Sequence, residues 1–428
     1  MLQKISISIF ITLARFVLKK YKPKVIVVAG SVGKTSTKDA VYAVLSKYFF
    51  IRKSLKGISS TTELPMTVLG CDENNESFWE TIKNIWYGVE LILFKEEYPK
   101  YLILETAVRK PRDMQKMITW LKADYVVFGR FGNVPTHIEF FNKSRDLIEE
   151  NSKLIKIILS SGVLFLNNDD TNTMSLKEKT KNKVVTFGFN ESASFRASNL
   201  EIAYRHADID MPLGIVFRFD HSSSSFPVRI EGALGSGHVY GALVALAIAN
   251  EIGLNLINSA QTLQNYVLPA GRMRLLDGIK ESTIIDDSYN SSPMACETAL
   301  KTLEDIKTIG QGDIKRRKIV VLGDMLELGN HTDEEHKNIG KIASKIADIL
   351  ICVGLRARGF VDGALIGGMS EKNIYHFENS TSAGVFLKNI IAQGDIILVK
   401  GSQIIRMENT VVEIMAHPED ASELLVRQ

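Results

Sequence analysis

Val25 to Thr37 reads VIVVAGSVGKTST: a β-branched run, a glycine turn, then Gly33-Lys34-Thr35 opening a segment with the apolar spacing of a helix. A buried β-branched run bounded by glycine suits a central parallel strand, and the helix after it offers free backbone N–H groups to phosphate oxygens. Gly30, Ser31, Val32, Gly33, Lys34, Thr35 and Ser36 are therefore the candidate nucleotide-binding residues. In a P-loop, Lys34 would reach the β- and γ-phosphates and the Thr35 hydroxyl would sit on Mg²⁺. Val28 stands where GxxxxGK[ST] has its first glycine, so only the compact form is present, and an ordinary strand-to-helix turn is the plain alternative. Glu105 closes the run YLILETA; ligands gather outside the carboxyl ends of strands in open α/β sheets, so this carboxylate is a candidate Mg²⁺ ligand or else a surface glutamate. His137, in GNVPTHIEFF, is a candidate metal contact, although a lone histidine is more often structural. KGISSTTELP reads either as a ligand loop beside Glu63 or as a turn before a helix.

The elements that must position these residues alternate. YLILETA, YVVFGRF, GVLFLNNDD and VVTFGF are short apolar runs with helical patterns among them, the rhythm of a doubly wound α/β sheet. From about Glu191 to Ile230 the pattern changes to alternating segments with polar turns, which predicts an attached antiparallel subsheet. After the Pro/Gly hinge LPAGRMR, five further strands restart the alternation as STIIDDSY, KIVVLGDM, ILICVGL, IYHF and DIILVKGS, which predicts a second α/β domain. The expected division is an N-terminal amphipathic helix over 1–22, a central ATP-binding domain over 23–270 and a C-terminal Rossmann-like α/β domain over 271–428. In the first of these, ISISIFITLARFVL is too short for a bilayer span of roughly 20 residues. Ile5, Ile9, Leu13, Phe16 and Val17 share one face of it, so it is read as a helix packed on the body or a partner subunit, or as a peripheral contact with an anionic inner membrane face through residues 5–18.

A chain of 428 residues with 45% hydrophobic content holds two or three real cores. A net charge of +3 is too mild for nucleic-acid binding, and the short basic clusters KKYKPK and KRR read as solvated surface. Cys71, Cys296 and Cys352 are widely spaced, which supports neither a disulfide framework nor a zinc site and suits the cytoplasm.

GSVGKTSTK, Glu105, NVPTHIEFF followed by LNNDD, PAGRMR, IIDDSYNSSP, VVLGDMLELG with the later His336, and LVKGSQIIRME closely resemble, in order, the signature of the Mur ligase family over roughly residues 23 to 415. The likeness is nearest to the branch that adds D-Ala-D-Ala in peptidoglycan synthesis. It implies a monomeric ligase with ATP and Mg²⁺ as cofactors, phosphorylating a muramyl-peptide carboxylate so that the amine of D-Ala-D-Ala can attack the acyl phosphate. By resemblance, Thr35 and Glu105 hold one Mg²⁺ and His137 helps hold another, while Asp287 and Asn290 approach the nucleotide from the C-terminal domain. Arg272 sits at the hinge, and Lys400, Ser402 and Arg406 line the amino-substrate face; Lys34, His137, Arg272 and Lys400 form the implied catalytic set. A ligase for another carboxylate, or a nucleotide-binding paralogue with weak catalysis, are the alternatives.

Four departures qualify the likeness. Residues 1–24 alone precede the first strand, where the family has a domain gripping the UDP end of its substrate. Gapless counting puts Asn151, next to Glu150 and near Lys153, where many members carry a carbamylated lysine, so the second Mg²⁺ is expected to bind weakly and Asn151→Lys to create a bicarbonate-responsive enzyme. Gly237-His238 replaces a His-Asn pair, leaving the adenine contact unassigned, and ETAVRKP replaces a glycine-containing EMG.

Overall fold

The computed structural model describes residues 2–54, 63–71, 78–205, 210–308 and 316–427, with side chains from Ile7 onward. Most of the KGISSTTELP loop, and Lys315 of the KRR cluster, lie outside the described residues.

Among the described residues, fifteen strands form two sheets. The first contains β1 (Lys24–Ala29), β2 (Ile51–Lys53), β3 (Tyr101–Glu105), β4 (Ala123–Phe128), β5 (Ile158–Asn167), β6 (Lys183–Gly188), β7 (Phe195–Arg205), β8 (Met211–His221) and β9 (Ser224–Glu231), in the order 2-3-1-4-5-6-7-8-9. β1 is buried from Val25 onward and pairs in parallel with β3 and β4, as a continuous β-branched run requires. β7, β8 and β9 are antiparallel and continue the same sheet through a short parallel contact of β7 with β6. The second sheet contains β10 (Arg274–Asp277), β11 (Thr283–Asp287), β12 (Lys318–Gly323), β13 (Ile349–Val353), β14 (Ile374–Phe377) and β15 (Ile396–Lys400), in the order 10-11-15-12-13-14. Its five expected strands run parallel; β10 is an added antiparallel edge too short to be read from RLLD. This is the mixed α/β architecture with an antiparallel extension that the alternation predicts.

Helix α1 (Leu2–Tyr21) is followed by α2 (Lys34–Ser46), α3 (Glu63–Leu69) and α4 (Phe78–Leu93). α2 lies on the sheet beside the alanine-rich helix Ser236–Glu251, whose small residues permit close approach. A Cβ at Gly241 would lie 2.9 Å from Ser36 O, so glycine is required where this helix crosses the start of α2.

α1 is packed on the body, but its buried face differs from the expected one. Phe10, Leu13, Ala14 and Val17 are buried, whereas Ile9 and Phe16 are 36% and 53% exposed. Gly88 of α4 faces the Leu13 methyl, which a Cβ there would approach to 3.0 Å. Lys20 then donates to Leu91 O and Ile92 O, covering carbonyls at the end of α4. Any bilayer contact through residues 7–18 is thus limited to Ile9 and Phe16; the larger outward apolar surface is the α4 stripe of Ile82, Trp86 and Leu93. Among the described residues no helix is long and apolar enough to cross a membrane.

Arg316 and Arg317 of KRR are not free solvated surface either. Arg316 is 1% exposed and donates to Gly394 O and Thr283 Oγ1, and Arg317 pairs with Asp395 at 2.6 Å, so both stitch the second sheet together.

Candidate active site

The loop after β1 turns sharply because Gly30 and Gly33 both adopt positive φ, 126° and 82°. A Cβ on Gly30 would meet the Gly129 backbone at 3.1 Å, and Gly33 leads directly into α2. Lys34 is the first residue of α2 and curls back so that Nζ donates to Gly30 O at 2.8 Å. Burial drives its ammonium pKa down to about 8; Glu105 opposes the shift, and Arg272 and Arg109 add to it.

The parallel register of β1 with β3 sets Glu105 opposite Val28, at the mouth of this loop. Thr35 Oγ1 donates to Glu105 Oε1 at 3.0 Å. Sequence reasoning missed the partner on the other side: Lys38, one helical turn beyond Lys34, places Nζ 3.2 Å from Glu105 Oε2, with both side chains buried. Burial alone would raise the Glu105 pKa, but Lys38, Lys34 and Arg272 hold the carboxyl below its ordinary value.

The facing wall comes from the second sheet. Asp287 and Lys400 are register partners at the ends of β11 and β15, and Lys400 Nζ lies 2.6 Å from Asp287 Oδ2 while donating to Asn290 O at 2.9 Å. Next to Gly271, itself at φ 64°, Arg272 stacks 4.1 Å over Tyr289 and reaches to 3.5 Å from Thr35 Oγ1. His238 is buried, with one ring nitrogen 2.9 Å from Tyr266 Oη and the other 2.7 Å from Arg272 O. Burial depresses its pKa and favours the neutral ring.

These residues line two adjoining clefts that share Arg272. The inner one is walled by Gly33, Thr35, Ser36, His238, Asp287 and Lys400. The outer one is walled by Ser31, Lys34, Glu105, Arg109, His137, Asn290, Glu327 and Ser402. Gly30 and Val32 shape the loop between them, Val32 through a bridge to Arg130.

Several expected positions differ in detail. His137 reaches the outer cleft, but its Nδ1 lies 2.5 Å from Glu327 Oε2 of the second half, so it ties the two halves together. Lys400 belongs to the inner cleft and is engaged by Asp287, and Arg406 pairs with Glu408 outside both clefts, so of the expected amino-substrate residues only Ser402 lines the outer cleft. His336 is fully buried and accepts from Met325 N, holding the DMLELG turn. Asn151 is buried too, with its amide donating to Leu147 O, and it lines neither cleft. Glu150 and Lys153 pair with each other at 2.6 Å, and Glu150 also accepts from Met114 N, so neither substitutes for a cleft ligand. Among the described residues no cluster of three or more His, Cys, Asp or Glu side chains could hold a metal by itself.

Comparison with known proteins assigns the architecture. The Mur ligase middle domain matches residues 28–249, and the Mur ligase glutamate ligase domain matches residues 271–403. A UDP-N-acetylmuramoyl-tripeptide–D-alanyl-D-alanine ligase of Bacillus subtilis is 24% identical over 411 residues, covering 95% of this chain and 79% of that one. The ligase of the same name from Borreliella burgdorferi is 25% identical over 406 residues, 94% of this chain and 77% of its own. The fold matches MurF from Acinetobacter baumannii with a TM-score of 0.75 at 22% identity, over 94% of this chain and 79% of that one. MurF from Thermotoga maritima in complex with ADP also scores 0.75, at 19% identity, over 97% and 84%.

Proposed function

Because the chain belongs to the Mur ligase family, we propose that it is an ATP-dependent, ADP-forming amide ligase that adds D-Ala-D-Ala to a UDP-MurNAc-tripeptide through an acyl phosphate. The relatives named for that reaction support the substrate pair. The observation that carries the chemistry is the convergence of Lys34, Thr35 and Glu105 from one sheet with Arg272, Asp287 and Asn290 across two adjoining clefts. Such ligases build negative charge on phosphoryl and carboxyl oxygens, and fixed cations and dipoles in a shielded cleft stabilise it.

In this reading the nucleotide enters the inner cleft and its phosphates run along Gly30 to Ser36, with Lys34 on the terminal phosphates and Asp287 and Asn290 on the C-terminal side. Thr35 Oγ1 and Glu105 Oε1 are hard oxygen donors that suit Mg²⁺, an ion that retains several waters and takes few protein ligands; bound there it would neutralise phosphate charge. His137 serves at the outer cleft, and Lys400 positions Asp287 and Asn290. The proposed boundary between central and C-terminal domains, after residue 270, falls between the two family matches. Three buried free thiols accord with work in the cytoplasm.

The test is a coupled assay of purified protein with ATP, UDP-MurNAc-tripeptide and D-Ala-D-Ala. ADP and phosphate should form with the pentapeptide only when all three are present. Turnover independent of the muramyl substrate, or none with it, would sink this assignment.

A further inference from the structure

The outer cleft carries a cation that neither the motifs nor the family likeness assigns. Three of its neighbouring or lining charged groups are engaged within the protein: Lys38 by Glu105, Lys400 by Asp287, and Glu327 by the His137 ring nitrogen. Lys34 makes no ion pair among the described residues: its ammonium donates to the Gly30 and Ser31 carbonyls, and Glu105, already paired with Lys38, acts on it through space. Nor does Arg272, whose guanidinium lies over the Tyr289 ring with Nε buried and unpartnered. Arg109 is the third. It is exposed on the outer wall, and no hydrogen bond or ion pair to its guanidinium occurs among the described residues; the Glu327 carboxylate, whose pKa it helps to lower, is held by His137 Nδ1. Asp113, the nearest acid in sequence, is spent on backbone, accepting from Arg109 N at 3.2 Å and Lys110 N at 2.8 Å. The loop is thereby pinned while the guanidinium stays free.

Like charges gathered around one cleft repel, and Arg109 contributes to the lowered pKa of Lys34. Glu105 and Glu327 on the same walls are engaged by Lys38 and His137, so an incoming anion is what the Arg109 guanidinium can pair with, and a planar guanidinium matches carboxylate and phosphate oxygens in pairs. The nucleotide side of Lys34 is already walled by Gly33, Thr35 and Ser36; Arg109 lies on the other side, with His137 and Ser402.

We propose that Arg109 binds the oxygens of the acyl substrate's carboxylate and of the acyl phosphate formed from it, on the side of Lys34 away from the nucleotide. This rests on the ligase reading above. A carboxylate oxygen attacks the γ-phosphorus of ATP, the bond to the β-phosphate oxygen breaks, and ADP leaves with its electron pair. The amine nitrogen of the dipeptide then attacks the acyl carbon, the carbon–oxygen bond to phosphate breaks, and phosphate departs while the nitrogen loses its proton to water. Arg109 stays protonated throughout and exchanges only hydrogen bonds, from carboxylate to phosphoryl oxygens.

The test uses inorganic phosphate as the probe, because as product it occupies the same oxygens whatever the acyl substrate is. Phosphate binding to the protein saturated with ADP and Mg²⁺ is measured by calorimetry for wild type, Arg109→Gln and Arg109→Lys, with thermal unfolding as the fold control. Loss of one charged, paired contact should weaken phosphate at least tenfold in Arg109→Gln, with partial recovery in Arg109→Lys and ADP affinity unchanged within twofold. In turnover the same variant should raise KM for the carboxylate substrate and leave KM for ATP alone. Equal phosphate affinity in wild type and Arg109→Gln, no measurable phosphate binding by wild type, or a parallel loss of ADP affinity would each overturn the assignment. Failure of wild type to use any muramyl peptide would refute the ligase substrate but not the phosphate result.

Discussion

Nucleotide binding should draw a proton from solvent, and the amount follows from Lys34. With the cleft empty its ammonium titrates at about 8, because burial and two neighbouring arginines outweigh Glu105. Phosphate oxygens bound against it favour the charged form and move the titration well above 9. At pH 8.5 the free protein therefore carries roughly a quarter of a proton on Lys34 and the complex carries one, so binding takes up about 0.75 proton; at pH 7.5 the same arithmetic leaves about 0.25. The window is clean. His238 is held neutral by burial, and Glu105 stays ionised because its pKa is lowered. The assay is calorimetry of Mg·ADP binding in two buffers of different ionisation enthalpy, the slope of observed against ionisation enthalpy giving the proton number. Uptake that triples from pH 7.5 to 8.5 in wild type and disappears in Lys34→Ala is the expected result. Zero uptake at pH 8.5 would mean that Lys34 is already fully protonated before the nucleotide arrives, and the account of its environment would be wrong.

Other perturbations follow from single contacts. Glu105→Ala strands the buried Lys38 ammonium, so chemical denaturation should show a loss of about 3 kcal/mol, and Lys38→Met in the same protein should restore much of it; additive losses would disprove the pairing. Leu13→Ala should cost about 2 to 4 kcal/mol of stability and Phe16→Ala under about 0.5, a contrast that reverses if α1 presents its other face to the body. Asn151→Lys should lower the melting temperature and leave the Mg²⁺ titration of activity insensitive to bicarbonate, because the residue is buried away from both clefts; a bicarbonate response would bring it back to the metal.

The legible parts of this chain were those with local grammar. A β-branched run, two glycines and a lysine announced the loop that holds Lys34, and a strand end announced Glu105, whereas Asp287 and Lys400 came through the family likeness alone. What escaped depended on register and on side chains meeting across long sequence distances. Lys38 looks like any helix lysine until β1 and β3 align Val28 with Glu105. Arg109 and Glu327 carry no spacing signal, since each matters only where the two halves face each other. The buried face of α1 was not legible because ISISIFITLARFV offers two apolar faces, and the one that packs, through Phe10, Leu13, Ala14 and Val17, is chosen by contact with α3 and α4. Asn151 shows the hazard of gapless counting: the count put it at the second metal, and in space it lies outside both clefts.

The central claim, transfer of the terminal phosphoryl of ATP to a substrate carboxylate, is tested most directly by isotope. UDP-MurNAc-tripeptide labelled with ¹⁸O in its terminal carboxylate is turned over with ATP and D-Ala-D-Ala, and the released phosphate is examined by mass. An acyl phosphate places one ¹⁸O in inorganic phosphate for each amide formed from labelled carboxylate. Unlabelled phosphate, or label appearing in AMP, would contradict the account.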